Sequence, residues 1–279
     1  MKEVKHLRRS NWVLRVLMVH DCSFVGYELS QAINNTYNDI HVEMLPYPLH
    51  TKVTVFKIAQ KIRKINPDIA HAHYCRYPAY AALLSRKPYI IHCHGTDIRH
   101  GMNFWQRLSL AKSRRVLLST PDLLEILPDA VWLPNPINLN HFKPSREHDG
   151  NKVLYYPKWY ENMENELNMT CAELGYALTV KRKTDIKYEE MPEFLNQFDI
   201  YVDRFAIKSY SKTALEAMAC NLAVVGYKHN LKEELENLSG IEKRRKYASE
   251  QRKMLNNHDK AKVASSLVKI YRQVYEEIR

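Results

Sequence analysis

The chain has 279 residues, of which 45% are hydrophobic and 26% are charged. This composition excludes a largely disordered protein, and the length allows one or two domains. The 42 Lys and Arg residues outnumber the 31 Asp and Glu residues, and the net charge of +11 indicates an anionic partner: nucleic acid, anionic lipid or a phosphate-bearing substrate.

The sequence shows no sign of a membrane span or a disulfide framework. Its apolar runs are shorter than the roughly 18 residues of a span, and Arg15 interrupts the run at 12–19. We therefore predict a first strand there rather than a signal peptide. The five cysteines stand singly, which is typical of a reducing compartment, so we expect a cytoplasmic location.

Strand and helix patterns alternate along the first half. We predict strands at 13–20, 41–45, 68–73, 89–94, 115–119 and 131–133, with helices at 23–33, 51–65 and 80–84.

The second half repeats this alternation. We predict strands at 152–156, 177–180, 199–203 and 222–225, with helices at 161–174, 191–197 and 214–220. The charged tail from residue 231 onward is predicted to be helical, with a break at 256–258. The pattern predicts an α/β protein with two doubly wound, Rossmann-like domains and a ligand cleft between them.

The domain boundary is predicted in the passage 134–150, which is rich in Pro, Asn and His. We assign residues 1–143 to a first domain and 144–259 to a second domain.

The most informative segment is 209–226. Polar residues precede a short helix there, whose free N–H groups would suit a phosphate, and Glu216 is predicted in its first turn. A carboxylate beside such an anion site suits the ribose of a nucleoside diphosphate. An ordinary capped helix, with Leu215, Ala217 and Met218 in the core, is the alternative interpretation.

Other polar residues follow predicted strands, where open α/β sheets bind ligands. These are Gly26, His94, Asp97, Lys158, Arg182, Lys183 and Asp203.

Histidines at 71, 73, 92 and 94 raise the alternative of a metal site, since positions i and i+2 of a strand share a face. No zinc-binding spacing of cysteines or carboxylates accompanies them. We therefore predict no metal site.

Several of these segments together resemble family 4 of the retaining glycosyltransferases, whose fold is GT-B. The resemblance lies in His92-Cys-His-Gly-Thr-Asp97, in Leu133-Pro-Asn-Pro-Ile-Asn-Leu-Asn-His-Phe-Lys-Pro144, in the helix and strand at 191–203, and in the signature Glu216-Ala-Met-Ala followed by 220–225. It implies a nucleotide-sugar donor as co-substrate, no other cofactor and no catalytic metal. It also makes the last helix, 260–279, a candidate to cross back to the first domain.

The resemblance also implies individual roles. His94 would lie beside the donor sugar, Lys158 beneath the diphosphate, and Glu216 on the ribose, while Gly95 and Asp97 would face the acceptor. The alternative interpretation of Asp97 is that it caps a helix. The family's second cation is missing after Lys158, and Lys208 stands where the family has the first Glu of a Glu-x7-Glu pair. Asn221 replaces the family's Gly after the signature helix, and we predict that the helix still ends there because Asn tolerates the left-handed conformation. The remaining donor-binding candidates are Gly26, Arg182, Lys183, Asp203, Lys208, Ser209, Tyr210, Ser211, Lys212 and Thr213.

The resemblance implies a glycosyltransferase that acts on a glycan or a lipid-linked acceptor. A GT-B-like protein without activity, which binds a nucleotide or a partner, is the alternative because of Lys208. The basic helix 51–65 and the basic residues Lys2, Lys5, Arg8 and Arg9 suggest peripheral contact with an anionic membrane. The basic residues are dispersed and no nucleic-acid motif is present, so we expect no specific nucleic acid.

Overall fold

The computed structural model describes residues 13–46, 52–157, 163–182, 186–227 and 230–279. Contacts divide them into two compact units. Unit 1 comprises the described residues within Met1–Ser119, Leu127–Leu133 and Ala264–Arg279. Unit 2 comprises those within Thr120–Ile126 and Pro134–Val263.

Unit 1 is built on a parallel sheet. In the described part of the chain its strands are β1 (Leu14–Val19), β2 (Ile40–Leu45), β3 (Ile69–His73), β4 (Tyr89–Cys93), β5 (Arg115–Leu118) and β6 (Val131–Trp132). Their order is β2-β1-β3-β4-β5-β6, and each neighbouring pair is parallel. From β1 the chain passes to β2 on one side of β1 and then to β3 on its other side. The carboxyl ends of β1 and β3 are therefore a topological switch point.

Helices cover this sheet. They are α1 (Val25–Thr36), α2 (Lys52–Ile65), α3 (Tyr77–Ser85), α4 (Phe104–Lys112) and the chain's last helix, α10 (Lys260–Ile278). Helix α10 joins unit 1 through the buried side chains of Leu267, Tyr271 and Val274, and through an ion pair of 2.8 Å between Arg272 and Asp39.

Helix α4 was not predicted. Its first two residues, Phe104 and Trp105, are exposed, so the segment lacks the apolar periodicity that indicates an amphipathic helix. A capping box specifies its start instead, because the Asn103 side chain accepts from the Gln106 N–H group and the Gln106 side chain accepts from Asn103. The Asn-x-x-Gln spacing was the signal that could have found it.

Unit 2 has a second parallel sheet, of order β10-β9-β7-β8. Its strands are β7 (Lys152–Tyr155), β8 (Ala177–Val180), β9 (Ile200–Val202) and β10 (Ala223–Val225). Its helices are α5 (Glu164–Leu174), α6 (Met191–Leu195), α7 (Lys212–Ala219), α8 (Leu231–Asn237) and α9 (Ile241–Met254), with 3-10 turns at Pro121–Glu125, Tyr188–Glu190 and Leu255–Asn257.

Successive residues of β7 pack on opposite faces of this sheet. Val153 and Tyr155 belong to one buried cluster, whereas Leu154 and Tyr156 belong to another. Both faces are therefore covered, as expected for parallel sheets with apolar strands. The prediction of an α/β chain with two doubly wound, Rossmann-like sheets is confirmed.

The helical tail differs from the prediction at one place. The predicted break at 256–258 is present as the 3-10 turn Leu255–Asn257, but Leu238–Gly240 also interrupts the helical run and separates α8 from α9. Gly240 stands at the N-cap of α9 in extended conformation. The segments on either side of this break are highly charged, so their apolar periodicity is too weak to show where one helix ends and the next begins.

Asn221 ends α7 as the sequence predicts. It has a φ of 67°, in the left-handed region that Asn adopts more readily than most residues. The next residue, Leu222, donates its N–H to the carbonyl of Ala217, and this bond closes the helix end.

Asp199 organises the amino end of the second sheet. Its buried carboxylate accepts from the N–H groups of Gly150 (3.1 Å) and Lys152 (2.9 Å) and from the guanidinium of Arg146 (3.0 Å). Gly150 has no room for a side chain, since a Cβ there would lie 2.7 Å from a carboxylate oxygen of Asp199.

We expect Asp199→Ala to lower the free energy of unfolding by about 3 kcal/mol, because the substitution leaves these donors without their charged acceptor. Urea denaturation measures the change. Glu147→Ala is the control: Glu147 also meets an arginine, but its side chain is 76% exposed, so we expect a loss below about 1 kcal/mol. Equal losses in the two variants would contradict this assignment.

Candidate functional site

In unit 2 the segment after β9 forms the start of α7. Ser211 is the N-cap: its Oγ accepts from the Ala214 N–H group at 3.1 Å, and its own N–H donates to Asp203 at 2.8 Å. The helix therefore starts at Lys212, earlier than predicted. The prediction that Glu216 lies in the first turn was wrong, because Ser211 caps the helix and places Glu216 in the second turn.

Lys212 and Glu216 form a buried ion pair on α7. The Lys212 Nζ donates to Glu216 Oε1 at 2.5 Å, and both side chains are only 8% exposed. The same ammonium lies 5.2 Å from the centre of the Tyr188 ring. A lysine with so little exposed surface, at the first residue of a helix, is a cation that an incoming anion can use.

The remaining candidates of the loop hold its shape. The Arg204 guanidinium binds the carbonyl of Ser209 at 3.1 Å and its Oγ at 3.0 Å, and Ser209 is buried. Tyr210 packs edge to face on Tyr227. Thr213 follows Lys212 in the first turn of α7 and is half-buried. Sequence analysis missed Arg204, although it directly follows Asp203.

The other predicted cations of unit 2 lie elsewhere. The Arg182 side chain is 69% exposed and forms a bidentate pair with Glu164 at 2.6 Å. The Lys208 side chain is 78% exposed and lies 4.0 Å from Glu125. Lys158 and Lys183 fall outside the residues that the structure describes. Among the described cationic candidates of unit 2, Lys212 has the most buried side chain.

In unit 1 the segment His94–Asp97 follows β4. Asp97 is fully buried, and its carboxylate accepts from the N–H groups of Cys75 (2.7 Å), His94 (3.1 Å) and Gly95 (2.7 Å). Burial raises the pKa of this carboxyl, and the N–H donors oppose that rise. The interpretation of Asp97 as a helix cap was wrong, since Asn103 caps the next helix.

His94 and Gly26 lie near the same histidine. The Nε2 of His94 is 3.2 Å from Nδ1 of His73, and a Cβ on Gly26 would lie 3.5 Å from the other ring nitrogen of His73. Gly26 is the second residue of α1 and donates its N–H to Asp21 at 2.9 Å. The carboxyl ends of β1, β3 and β4 therefore bring these predicted residues together.

Four imidazoles form a ladder on unit 1. Ring centres are 4.3 Å apart for His71 and His73, 5.3 Å for His73 and His92, and 4.5 Å for His92 and His94. Burial lowers the pKa of His71 and of His94 to about 3, and it holds the pKa values of His73 and His92 well below the ordinary value. All four rings are therefore neutral at pH 7.

A basic groove, which sequence analysis missed, lies at the opposite edge of the same sheet. Pro88 and Arg114 precede β4 and β5, and exposed Trp105 stands beside them. Its other charged lining residues are Arg63, Arg86, Lys87 and Lys112.

The apolar residues Val55, Ile58, Ala59 and Ile62 of α2 are buried in the core, whereas Phe56 is 64% exposed. Residue Thr51 of the predicted helix and the basic residues Lys2, Lys5, Arg8 and Arg9 lie outside the described residues. Among the described helices, none combines the length and the apolar content that crossing a membrane requires.

Comparison with known proteins confirms the resemblance inferred from the sequence. The sequence model described as Glycosyltransferase Family 4 matches residues 4–139. A search of curated proteins gives no match.

Solved structures share the fold of the whole chain. Sucrose-phosphate synthase from Thermosynechococcus elongatus superposes with a TM-score of 0.68 at 13% identity, covering 95% of this chain and 100% of that one. The catalytic domain of starch synthase IV from Arabidopsis thaliana, bound to ADP and acarbose, gives 0.57 at 10% identity, covering 95% and 100%. The S. aureus MnaA–UDP complex gives 0.57 at 11% identity, covering 94% and 98%. The predicted GT-B fold is confirmed.

We expect the metal-free protein to lose stability as the pH falls from about 7 to about 5. The pKa of His71 is lower in the fold than the ordinary value of 6.5, so the unfolded chain binds the extra proton in this range. Each such histidine contributes up to about 1.4 kcal/mol per pH unit. Urea denaturation in the presence of a chelator measures this slope. His71→Asn should make it shallower, while His41→Asn, at an exposed position of β2, should not; equal slopes would contradict the assignment.

Proposed function

We propose that this chain, a GT-B protein whose residues 4–139 match glycosyltransferase family 4, transfers a sugar from a nucleotide-sugar donor. The observation that carries the proposal is the buried Lys212–Glu216 pair at the start of α7, at the carboxyl edge of the second sheet. The similar structures that hold UDP or ADP support a nucleoside diphosphate as the leaving group.

Lys212 and Glu216 contact different parts of the donor. In the free protein the two charges neutralise each other at 2.5 Å. When the donor binds, the Lys212 ammonium turns to the diphosphate and the Glu216 carboxylate accepts hydrogen bonds from the ribose hydroxyls. Lys212 thus serves as the second cation that the sequence lacks after Lys158, and it offsets the charge that develops on the departing diphosphate.

The reaction proceeds with retention of configuration and needs no metal. The acceptor hydroxyl attacks the anomeric carbon on the face from which the diphosphate leaves, and its proton passes to a diphosphate oxygen. His94, which is neutral at pH 7, hydrogen-bonds the donor sugar. Asp97 is a positioning residue. Its carboxylate accepts hydrogen bonds from the backbone N–H groups of His94 and Gly95 and so fixes both residues.

Lys208 is the reason for an alternative function. Because this residue is a lysine, it offers no carboxylate to the donor sugar, and its exposed side chain lies 4.0 Å from Glu125. A GT-B protein that binds a nucleotide or a partner without transfer is the alternative, and measured donor turnover separates the two.

We expect Glu216→Gln to weaken binding of the preferred nucleoside diphosphate by about 10- to 100-fold, the worth of a charge-assisted hydrogen bond. Calorimetry against a panel of nucleoside diphosphates and nucleotide sugars measures this change. Glu193→Gln is the control, since Glu193 is an exposed acidic residue of α6 in the same unit. We expect it to bind as the wild type does.

Three results would change the proposal. Binding that survives Glu216→Gln would place the ribose elsewhere. Nucleotide binding without hydrolysis or transfer would favour the inactive alternative. Failure of every nucleotide to bind would overturn the donor site.

We also infer that the acceptor is a glycan or a lipid-linked molecule and that unit 1 touches an anionic membrane peripherally, at the basic groove. Trp105 is 52% exposed and Phe104 is 69% exposed beside the groove's Lys and Arg residues. Aromatic rings with adjacent cations suit the headgroup level of an anionic bilayer. A cytoplasmic protein with this edge reaches the inner face of its membrane.

We expect the double variant Lys112→Glu, Arg114→Glu to bind phosphatidylserine vesicles at least about tenfold more weakly, since each basic residue near the surface contributes about 1 kcal/mol. Vesicle sedimentation measures the binding. The control is the double variant Lys187→Glu, Lys243→Glu, which makes the same change of charge at exposed positions of unit 2. We expect this variant to bind the vesicles as the wild type does. If the wild type shows no preference for anionic over neutral vesicles, the membrane contact is wrong.

A further inference from the structure

Strand register places three buried histidines on one face of the first sheet. In the parallel pairing of β3 with β4, His73 is the partner of His92 and His71 is the partner of Ile90. Because side chains alternate along a strand, His71 and His73 share a face, and His92 lies on that same face. All three rings have no exposed surface, and one ligand nitrogen from each lies within 4.8 Å of the other two.

Four nitrogens of these rings lack hydrogen-bond partners. They are Nε2 of His71, Nε2 of His73 and both ring nitrogens of His92. Buried polar atoms in folded proteins are nearly always paired. One ion bound by one nitrogen of each ring would satisfy three of these four atoms.

The Nδ1 atoms of His71 and His73 have hydrogen-bond partners, as the second ring nitrogen of a metal-bound histidine usually has. Nδ1 of His71 lies 2.6 Å from the Tyr271 hydroxyl of α10, and Nδ1 of His73 lies 3.2 Å from Nε2 of His94. If each Nδ1 carries the proton of the hydrogen bond, each Nε2 presents a lone pair to the interior.

The geometry points to a structural site for a divalent transition-metal ion of the zinc class, bound by His71, His73 and His92. Neutral imidazole is a preferred ligand of such ions, with metal–nitrogen bonds of about 2.0–2.1 Å. The three ligand nitrogens lie within 4.8 Å of one another, and side-chain rotation has to bring them to this bond length around one ion. A water molecule completes the fourth position.

A carboxylate lies close to one of the three rings. A Cβ at Gly26 would lie 3.3 Å from a carboxylate oxygen of Asp21 and 3.5 Å from Nε2 of His73. This carboxylate supplies negative charge near the proposed ion.

The ion would join β3 to β4 and, through His71 and Tyr271, to α10. It would also fix the tautomer of His73 and so direct its Nδ1–H to His94. This role is independent of the proposed transfer reaction, because it concerns the core of unit 1 and requires no donor.

The test is zinc binding by the full-length protein after removal of metal with a chelator. Competition against a chromophoric chelator and elemental analysis should show one tightly bound zinc per chain, with a raised melting temperature. Cobalt(II) should give the visible absorption of a four-coordinate, nitrogen-rich site. His73→Asn and His92→Asn should each weaken zinc binding by at least tenfold, while the exposed-site control His41→Asn should leave it unchanged.

Two results would overturn the site. In the first, the wild type binds no more zinc than its exposed histidines account for. In the second, the wild type and both core variants bind zinc equally. Either would mean that the rings form a dry, stacked core. If the core variants fail to fold, X-ray absorption of the zinc-loaded wild type decides, since fewer than three imidazole nitrogens at about 2.0–2.1 Å would contradict the assignment.

Discussion

The parallel pairing of β3 with β4 is the constraint on which the candidate chemistry of unit 1 depends. It sets His73 opposite His92 and ends both strands at the same edge. The segments after those strands are then close enough for the Asp97 carboxylate to accept from Cys75 on one side and from His94 and Gly95 on the other. A shift of one residue in this register would move His92 to the other face and remove the ladder.

Buried carboxylates perform the same task at three strand ends. Asp97 holds the loop after β4, Asp203 holds the N-cap of α7, and Asp199 holds the chain that leads into β7. Each accepts backbone N–H groups, which lets irregular backbone sit beside a sheet without unpaired donors. Asp97 and Asp203 therefore shape the candidate sites, while Asp199 stabilises the amino end of the second sheet.

The two units carry different kinds of charge chemistry. Unit 2 places a lysine and a glutamate side by side on α7, and such a pair suits a ligand that has both phosphate and hydroxyl groups. Unit 1 concentrates neutral imidazoles, which burial keeps uncharged, and these suit a sugar hydroxyl or a metal ion. The separation follows the proposed division between donor diphosphate and reacting sugar.

The sequence by itself determined the alternation of strands and helices, the two parallel sheets, the family resemblance and the left-handed end of α7 at Asn221, because periodicity, turn residues and motif order are local properties. Only the tertiary structure decided that Lys212 pairs with Glu216, that Asp97 binds backbone rather than capping a helix, and that His92 joins His71 and His73. Those facts depend on strand register and on which segments meet at a sheet edge. Both are set by packing between residues far apart in the chain, which no local pattern records.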